Sequence, residues 1–130
     1  MPYIQILVKA VKARPYPVVV DSGSNITAFP LAVAAELGLT EYLIEDKRGV
    51  IGLGEDDSKL RAYRPQHVTI YAQVIAEQEG GGATYFGSDF QIFPIFIDGS
   101  TRFVVGRDDF FKAFVVCFPR GDPRVTVLEY

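Results

Sequence analysis

Cysteine is almost missing from this chain, and the single one, Cys117, has no partner for an internal disulfide. It lies in the apolar run Phe114-Val115-Val116-Cys117-Phe118, which points to a buried, inert thiol. Histidine is equally scarce. His67 stands alone and adjoins no cysteine, serine or acid in the sequence, so it reads as a surface or structural residue. No metal set and no cofactor are expected. Thirteen Lys and Arg against sixteen Asp and Glu leave a net charge of −3. The basic residues form no stripe or cluster, which speaks against a nucleic-acid partner. No apolar run approaches the roughly eighteen residues of a membrane span. The start, Met1-Pro2-Tyr3-Ile4-Gln5, lacks the charged and apolar regions of a secretory signal. The expectation is a soluble, cytoplasmic protein whose 130 residues make one domain, 1–130, with no membrane partner.

What the chain does have is a succession of short extended segments. Tyr3 to Val11 alternates, with Ile4, Ile6 and Val8 on one face, as a half-buried strand requires. Ala13-Arg14-Pro15 reads as a break before a strand over Val18–Val20, the two strands forming a hairpin. Ile26-Thr27-Ala28-Phe29 is a third strand. Pro30 opens a short helix over Leu31 to Leu37, which Gly38 ends in the left-handed conformation. Tyr42 to Lys47 reads as irregular or weakly extended.

Val50-Ile51-Gly52-Leu53-Gly54 leads to the acidic tip Glu55-Asp56-Asp57, and Lys59 to Tyr63 returns, which describes a flexible hairpin. Its glycines are not a phosphate loop, because no Gly-Lys-Ser/Thr and no helix follow. The acidic tip reads as a solvated surface. His67 to Val74 is a strand with Val68 and Ile70 on one face, and Glu77 to Gly87, with its glycine triplet, reads as a mobile loop. Gln91 to Ile97 is extended, with Pro94 marking an edge or bulge and Asp98-Gly99 a turn. Phe103 to Gly106 is a buried strand, and Arg107 to Phe111 is one helical turn with acids near its start. Ala113 to Phe118 and Val125 to Glu129 close the chain as two strands. The whole is mainly β, with about eight short strands and one or two short helices.

One stretch carries chemistry. Val18-Val19-Val20 is a run suited to a strand packed on both faces, and it delivers Asp21 into the turn Ser22-Gly23-Ser24. A carboxylate at the end of a buried strand must be hydrogen-bonded or share a proton. The same three residue types also compose ordinary turns. Asn25-Ile26-Thr27 matches a glycosylation acceptor and is read as coincidence.

The Asp21-Ser22-Gly23 turn, the glycine hairpin about thirty residues later, and Val104-Val105-Gly106 followed by Arg107-Asp108 occur in that order. In this the chain resembles the retropepsin-like aspartic proteases, most closely their prokaryotic members, from about Tyr3 to Leu128. The resemblance implies a closed acid-protease-type β-barrel. It makes Asp21 the catalytic aspartate. Ser22 would lock two active-site loops together, the amide of Gly23 would approach the carboxylate, and Ser24 would lie beside its outer oxygen. Val104, Val105 and Gly106 would support the loop from beneath, and Val50, Ile51, Gly52, Leu53 and Gly54 would form the flap over bound peptide. In such an enzyme two carboxylates about 3 Å apart share one proton, one activating water and the other protonating the carbonyl. This chain holds one Asp-Ser/Thr-Gly, since Asp98-Gly99-Ser100 and Gly87-Ser88-Asp89 have the wrong order. The resemblance therefore implies a homodimer acting on a polypeptide substrate, with one Asp21 from each protomer. Chain ends pair in such dimers; here Val125 to Leu128 is the candidate, with Tyr3 to Leu7 able to join. The competing classes are a non-catalytic dimerisation or peptide-binding module, and a small-ligand β-barrel resting on the glycine hairpin alone.

Overall fold

The computed structural model describes residues 3–46, 60–77, 82–117 and 126–129. The chain is mainly β, with two short helices. The first two strands are β1 (Tyr3–Lys9) and β2 (Ala13–Val20). They pair antiparallel from Tyr3↔Val19 to Lys9↔Ala13. The alternation in β1 does its expected work, since Ile6 and Val8 are fully buried while Tyr3 and Gln5 face solvent. Each such aliphatic contributes about 1.5–3 kcal/mol. The break expected at Ala13-Arg14-Pro15 is instead the start of β2. Pro15 and Pro17 have no amide hydrogen to give to the sheet, but proline tolerates the edges and outward positions of a strand.

Next come β3 (Ala28–Pro30) and α1 (Leu31–Glu36), with Pro30 as the residue that enters the helix rather than its first turn. Gly38 adopts φ 73°, and the amides of Gly38 and Leu39 close the helix on Ala35 O and Ala34 O at 3.1 and 2.8 Å. A single 3-10 turn at Thr40–Tyr42 leads to β4 (Leu43–Asp46), so of the two readings of this segment, irregular or weakly extended, the extended one holds, as an edge strand. It pairs antiparallel with β5 (Arg61–Pro65), from Leu43↔Pro65 to Asp46↔Ala62. Of the expected hairpin the returning strand is described, within β5. The glycine run Val50–Gly54 and the acidic tip lie outside the described residues.

The strand expected from His67 begins later, as β6 (Ile70–Glu77). His67 itself is exposed with φ 61°, in the left-handed region, so it turns the chain rather than extending it, and Val68 precedes the strand. The expected loop over Glu77 to Gly87 is largely a strand as well. Glu77 ends β6, and β7 (Ala83–Ile92) pairs back along it from Glu77↔Ala83 to Ile70↔Ile92. Ala72 pairs with Phe90 and Val74 with Phe86, so Gly87, Ser88 and Asp89 lie opposite Gln73 alone, in a bulge. Gly87 takes φ 72° there, and Gln73 Nε2 donates to its carbonyl at 3.0 Å.

Pro94 ends β7 pairing, and β8 (Ile95–Asp98) follows before the turn at Gly99, φ 87°. The last segments are β9 (Val104–Val105), α2 (Phe110–Ala113), β10 (Phe114–Cys117) and β11 (Thr126–Glu129). β10 and β11 pair antiparallel in a separate two-stranded sheet, matching the two final strands expected. The burial expected for the Cys117 thiol falls outside the described side chains.

The main sheet has the order β4-β5-β8-β3-β9-β2-β1-β6-β7. Among the described residues no pairing joins β4 to β7, so the expected closed barrel is not seen and the sheet keeps two ends. The core beneath it is aromatic. Phe110 stacks on Phe114 at 5.0 Å between ring centres, and Phe90 meets Phe114 edge-on at 5.2 Å. These rings tie α2 and the C-terminal hairpin to β7. No described helix is long and apolar enough to cross a membrane.

Candidate active site

The decisive element is β9, only two residues long. It lies between β2 and β3, parallel to the first (Val19↔Val104, Val20↔Val105) and antiparallel to the second (Ala28↔Val104). Val104 and Val105 are 4 % and 0 % exposed, as a strand buried on both faces demands. β9 therefore passes beneath the turn that joins β2 to β3. The Val19 amide donates to Phe103 O at 2.8 Å and the Asp21 amide to Val105 O at 3.1 Å, so the backbone of Asp21 is fixed from below.

Beyond Asp21 the turn closes on itself. The Ser24 amide donates to Asp21 O at 3.2 Å, and the Gly23 amide donates to Asp21 Oδ1 at 2.8 Å. Asp21 Oδ2 has no protein partner among the described residues. The carboxylate is half-buried, while Ser22 and Gly23 are exposed. A backbone donor holds one oxygen, and the other is left for chemistry or for a second group. The Oγ of Ser24 donates to Ile26 O at 3.0 Å and accepts from the Ile26 amide at 3.3 Å. It braces the exit of the turn.

Gly106 shows how tightly the pieces fit. A Cβ there would sit 2.4 Å from Ile26 O and 2.7 Å from Ser24 O, both backbone atoms. Only glycine allows β9 to lead so close under the turn. Immediately after it, the Arg107 amide donates to Ser24 O at 2.9 Å and the Asp108 amide to Asn25 O at 3.1 Å. Three residues missed as participants complete the clamp. The Arg107 guanidinium donates to Asn25 Oδ1. Thr27, 1 % exposed, offers its Oγ1 to the Gly106 amide at 3.5 Å. Asp109, 6 % exposed, accepts the Phe93 amide at 2.9 Å. The sequence places Asp109 at a helix start, where a dipole role is the natural reading. Its actual partner is sixteen residues away in sequence, and nothing local signals that.

Val50, Ile51, Gly52, Leu53 and Gly54, expected as a flap, lie outside the described residues; β4 and β5 are the strands on either side of them. Across these strands Arg64 Nε stands 3.9 Å from the buried Asp46 Oδ2. The end of β6 and the start of β7 lie at the same end of the sheet as Asp21, because Tyr3 pairs with Val19 and Gln5 with Ile75. Beside the exit of the turn opens a cleft of about 550 Å³, walled by Asn25, Ile26 and Thr27 on one side and by Phe93, Pro94 and Ile95 on another. Among the described residues no His, Cys, Asp or Glu cluster could hold a metal ion.

Neither a protein-family model nor a curated protein matches this chain.

Proposed function

We propose that this chain is a retropepsin-like aspartic endopeptidase, active as a homodimer. The observation that carries the proposal is the Asp21 turn, held from beneath by a two-residue strand inserted between the strands that flank it. That insertion explains why Asp21-Ser22-Gly23 and Val104-Val105-Gly106, more than eighty residues apart in sequence, belong to one site. An ordinary Asp-Ser-Gly turn needs no such support.

In the proposed mechanism two Asp21 carboxyls meet across a twofold axis and share one proton, because like charges about 3 Å apart cannot both ionise. The charged member removes a proton from water, and the neutral member protonates the scissile carbonyl. The Gly23 amide holds Oδ1 in place, which leaves Oδ2 to face water and substrate. Ser22 is placed for contact with its counterpart in the second copy. Val50 to Gly54 forms the flap, and closure of the sheet into the acid-protease barrel belongs to the same reading.

Pairing of the chain ends falls to β10 and β11. From Gln5 to Lys9, β1 is bonded on one side by β2 and on the other by β6, so it has no free edge there for a partner. Among the described residues neither β10 nor β11 pairs with a further strand, and two-stranded ribbons of this size gain much from added strands.

The test is cleavage of a peptide library at mildly acidic pH by the wild-type chain and by Asp21→Asn, with the association state measured by sedimentation. Turnover by a dimer that vanishes in the variant is expected. Turnover that survives Asp21→Asn refutes the proposal, and a verified dimer that binds peptides without turnover favours the non-catalytic module.

A further inference from the structure

The cleft beside the turn has its own origin in the strand pattern. β5 pairs with β8 only from Arg61↔Asp98 to Tyr63↔Phe96. Continued beyond Tyr63, that register would set Arg64 and Pro65 against Ile95 and Pro94, and Pro94 has no amide hydrogen to continue the ladder. Ile95 turns its amide to Thr27 O at 2.9 Å instead. Arg64 and Pro65 thus separate from residues 93–95, and the wedge between them is the cleft of about 550 Å³. That volume is within the range of specific ligand pockets, about 300–1,000 Å³. Its floor is apolar, with Ile70 and Ile92 each 2 % exposed.

Four charged residues line it: Arg64 from β5, and Asp108, Asp109 and Lys112 from the segment around α2. They are not equivalent. Asp109 is 6 % exposed and already accepts the Phe93 amide. The charges open to solvent are the cations of Arg64 and Lys112 and the single anion of Asp108. Arg64 is held only loosely by Asp46, at 3.9 Å from its Nε, and its side chain is 46 % exposed. Guanidinium groups bind carboxylates through two parallel hydrogen bonds, and a neighbouring ammonium adds a second charge-assisted donor.

We propose that this pocket takes an acidic side chain of an extended peptide, its carboxylate held by Arg64 and Lys112 and its stem lying on Ile26 and Ile95. The pocket begins at Asn25 and Ile26, which lead out of the Asp21 turn, and Asp21 is not among its walls. A peptide bound there has its acidic residue a few positions from whatever bond lies over Asp21. The substrate class is therefore polypeptides carrying Asp or Glu at one fixed distance from an apolar cleavage point. This last step rests on the protease reading; binding in the pocket does not.

The test uses fluorescein-labelled octapeptides with an Ala/Ser frame and a central Val-Phe pair, bearing either Glu or Gln at one position scanned along the chain. Binding to the full-length Asp21→Asn protein is followed by anisotropy. At one position Glu should bind about tenfold tighter than Gln, and the advantage should shrink as salt rises. Arg64→Gln and Lys112→Gln should each remove most of that advantage while leaving the Gln peptide unchanged. Lys112 is exposed and makes no ion pair among the described residues, so Lys112→Gln tests the pocket even if Arg64→Gln misfolds. Equal binding of Glu and Gln at every position, or a preference that survives both substitutions, overturns the proposal. Cleavage of the same peptides by the wild-type protein separates the two readings. A Glu preference without any cleavage keeps the pocket and removes the protease, whereas cleavage indifferent to Glu does the reverse.

Discussion

Replacing Gly106 with alanine is the sharpest probe of the support beneath Asp21. The new methyl would lie 2.4 Å from Ile26 O, 2.7 Å from Ser24 O and 2.9 Å from Ile26 C. Ordinary carbon–oxygen contacts begin near about 3.3 Å, so the two segments must part by most of an ångström. No side chain can swing aside, because every clashing atom is backbone. Parting them strains the Arg107 amide bond to Ser24 O and the Asp108 amide bond to Asn25 O, at 2.9 and 3.1 Å. Two such bonds are worth about 0.5–1.5 kcal/mol each, and overpacking costs about 1–3 kcal/mol more. Alanine returns about 0.4–1 kcal/mol by stiffening the unfolded chain. The net loss should be about 2–4 kcal/mol. Urea denaturation of both proteins at one protein concentration measures it, since association adds to apparent stability. With a slope of about 2 kcal/mol/M, the midpoint should fall by about 1–2 M. A loss under about 1 kcal/mol with an unchanged slope would refute the view that β9 and the turn are in closest contact at Gly106.

Gly23→Ala makes the contrasting case: its Cβ would meet only Asp21 Oδ1, at 3.2 Å. That side chain can move, so stability should fall by less than about 1 kcal/mol while peptidase activity falls much further, as parallel denaturation and cleavage assays would show. Tyr16→Phe deletes the hydroxyl that donates to Glu36 Oε1 at 2.8 Å and should cost about 1–2 kcal/mol in the same denaturation assay. Burial, and then the Glu36 hydrogen bond and charge, push the Tyr16 phenol above its usual value, with Arg14 opposing. A folded-state value raised above the unfolded one near about 10 gives stability that is present below that pH and lost as pH rises past it. Wild-type urea midpoints should therefore decline above about pH 10, and the Tyr16→Phe profile should be flatter there.

Much of this architecture is local and was legible residue by residue. The alternation of Ile4, Ile6 and Val8, the helix ended by Gly38, and the terminal pair of strands follow from side-chain period and glycine conformation. So did the grouping of Asp21, Ser22 and Gly23 into a turn after a buried strand. Local patterns failed where a partner far along the chain overrides them. Gly80, Gly81 and Gly82 suggested a loop over Glu77 to Gly87, yet cross-strand pairing with β6 holds residues 83–86 extended. Ala13 to Pro15 looked like a break, yet β1 supplies a ladder that carries the strand through two prolines.

The candidate site divides in the same way. Sequence order alone put an acid at the end of an apolar strand, and a valine pair with a glycine eighty residues later. That Val104 and Val105 slide between β2 and β3, that Gly106 leaves no room for a methyl, and that Ser24 braces Ile26 were decided only in three dimensions. So was the pocket, which forms where β5 loses its partner at Pro94 and where α2 adds Lys112 to a lining that also holds Arg64. The physical reason is range. Periodicity and turn chemistry act over a few residues and are written into them. A hydrogen bond from Asp21 to Val105, or from Phe93 to Asp109, costs loop closure before it forms and exists only once the whole sheet has assembled.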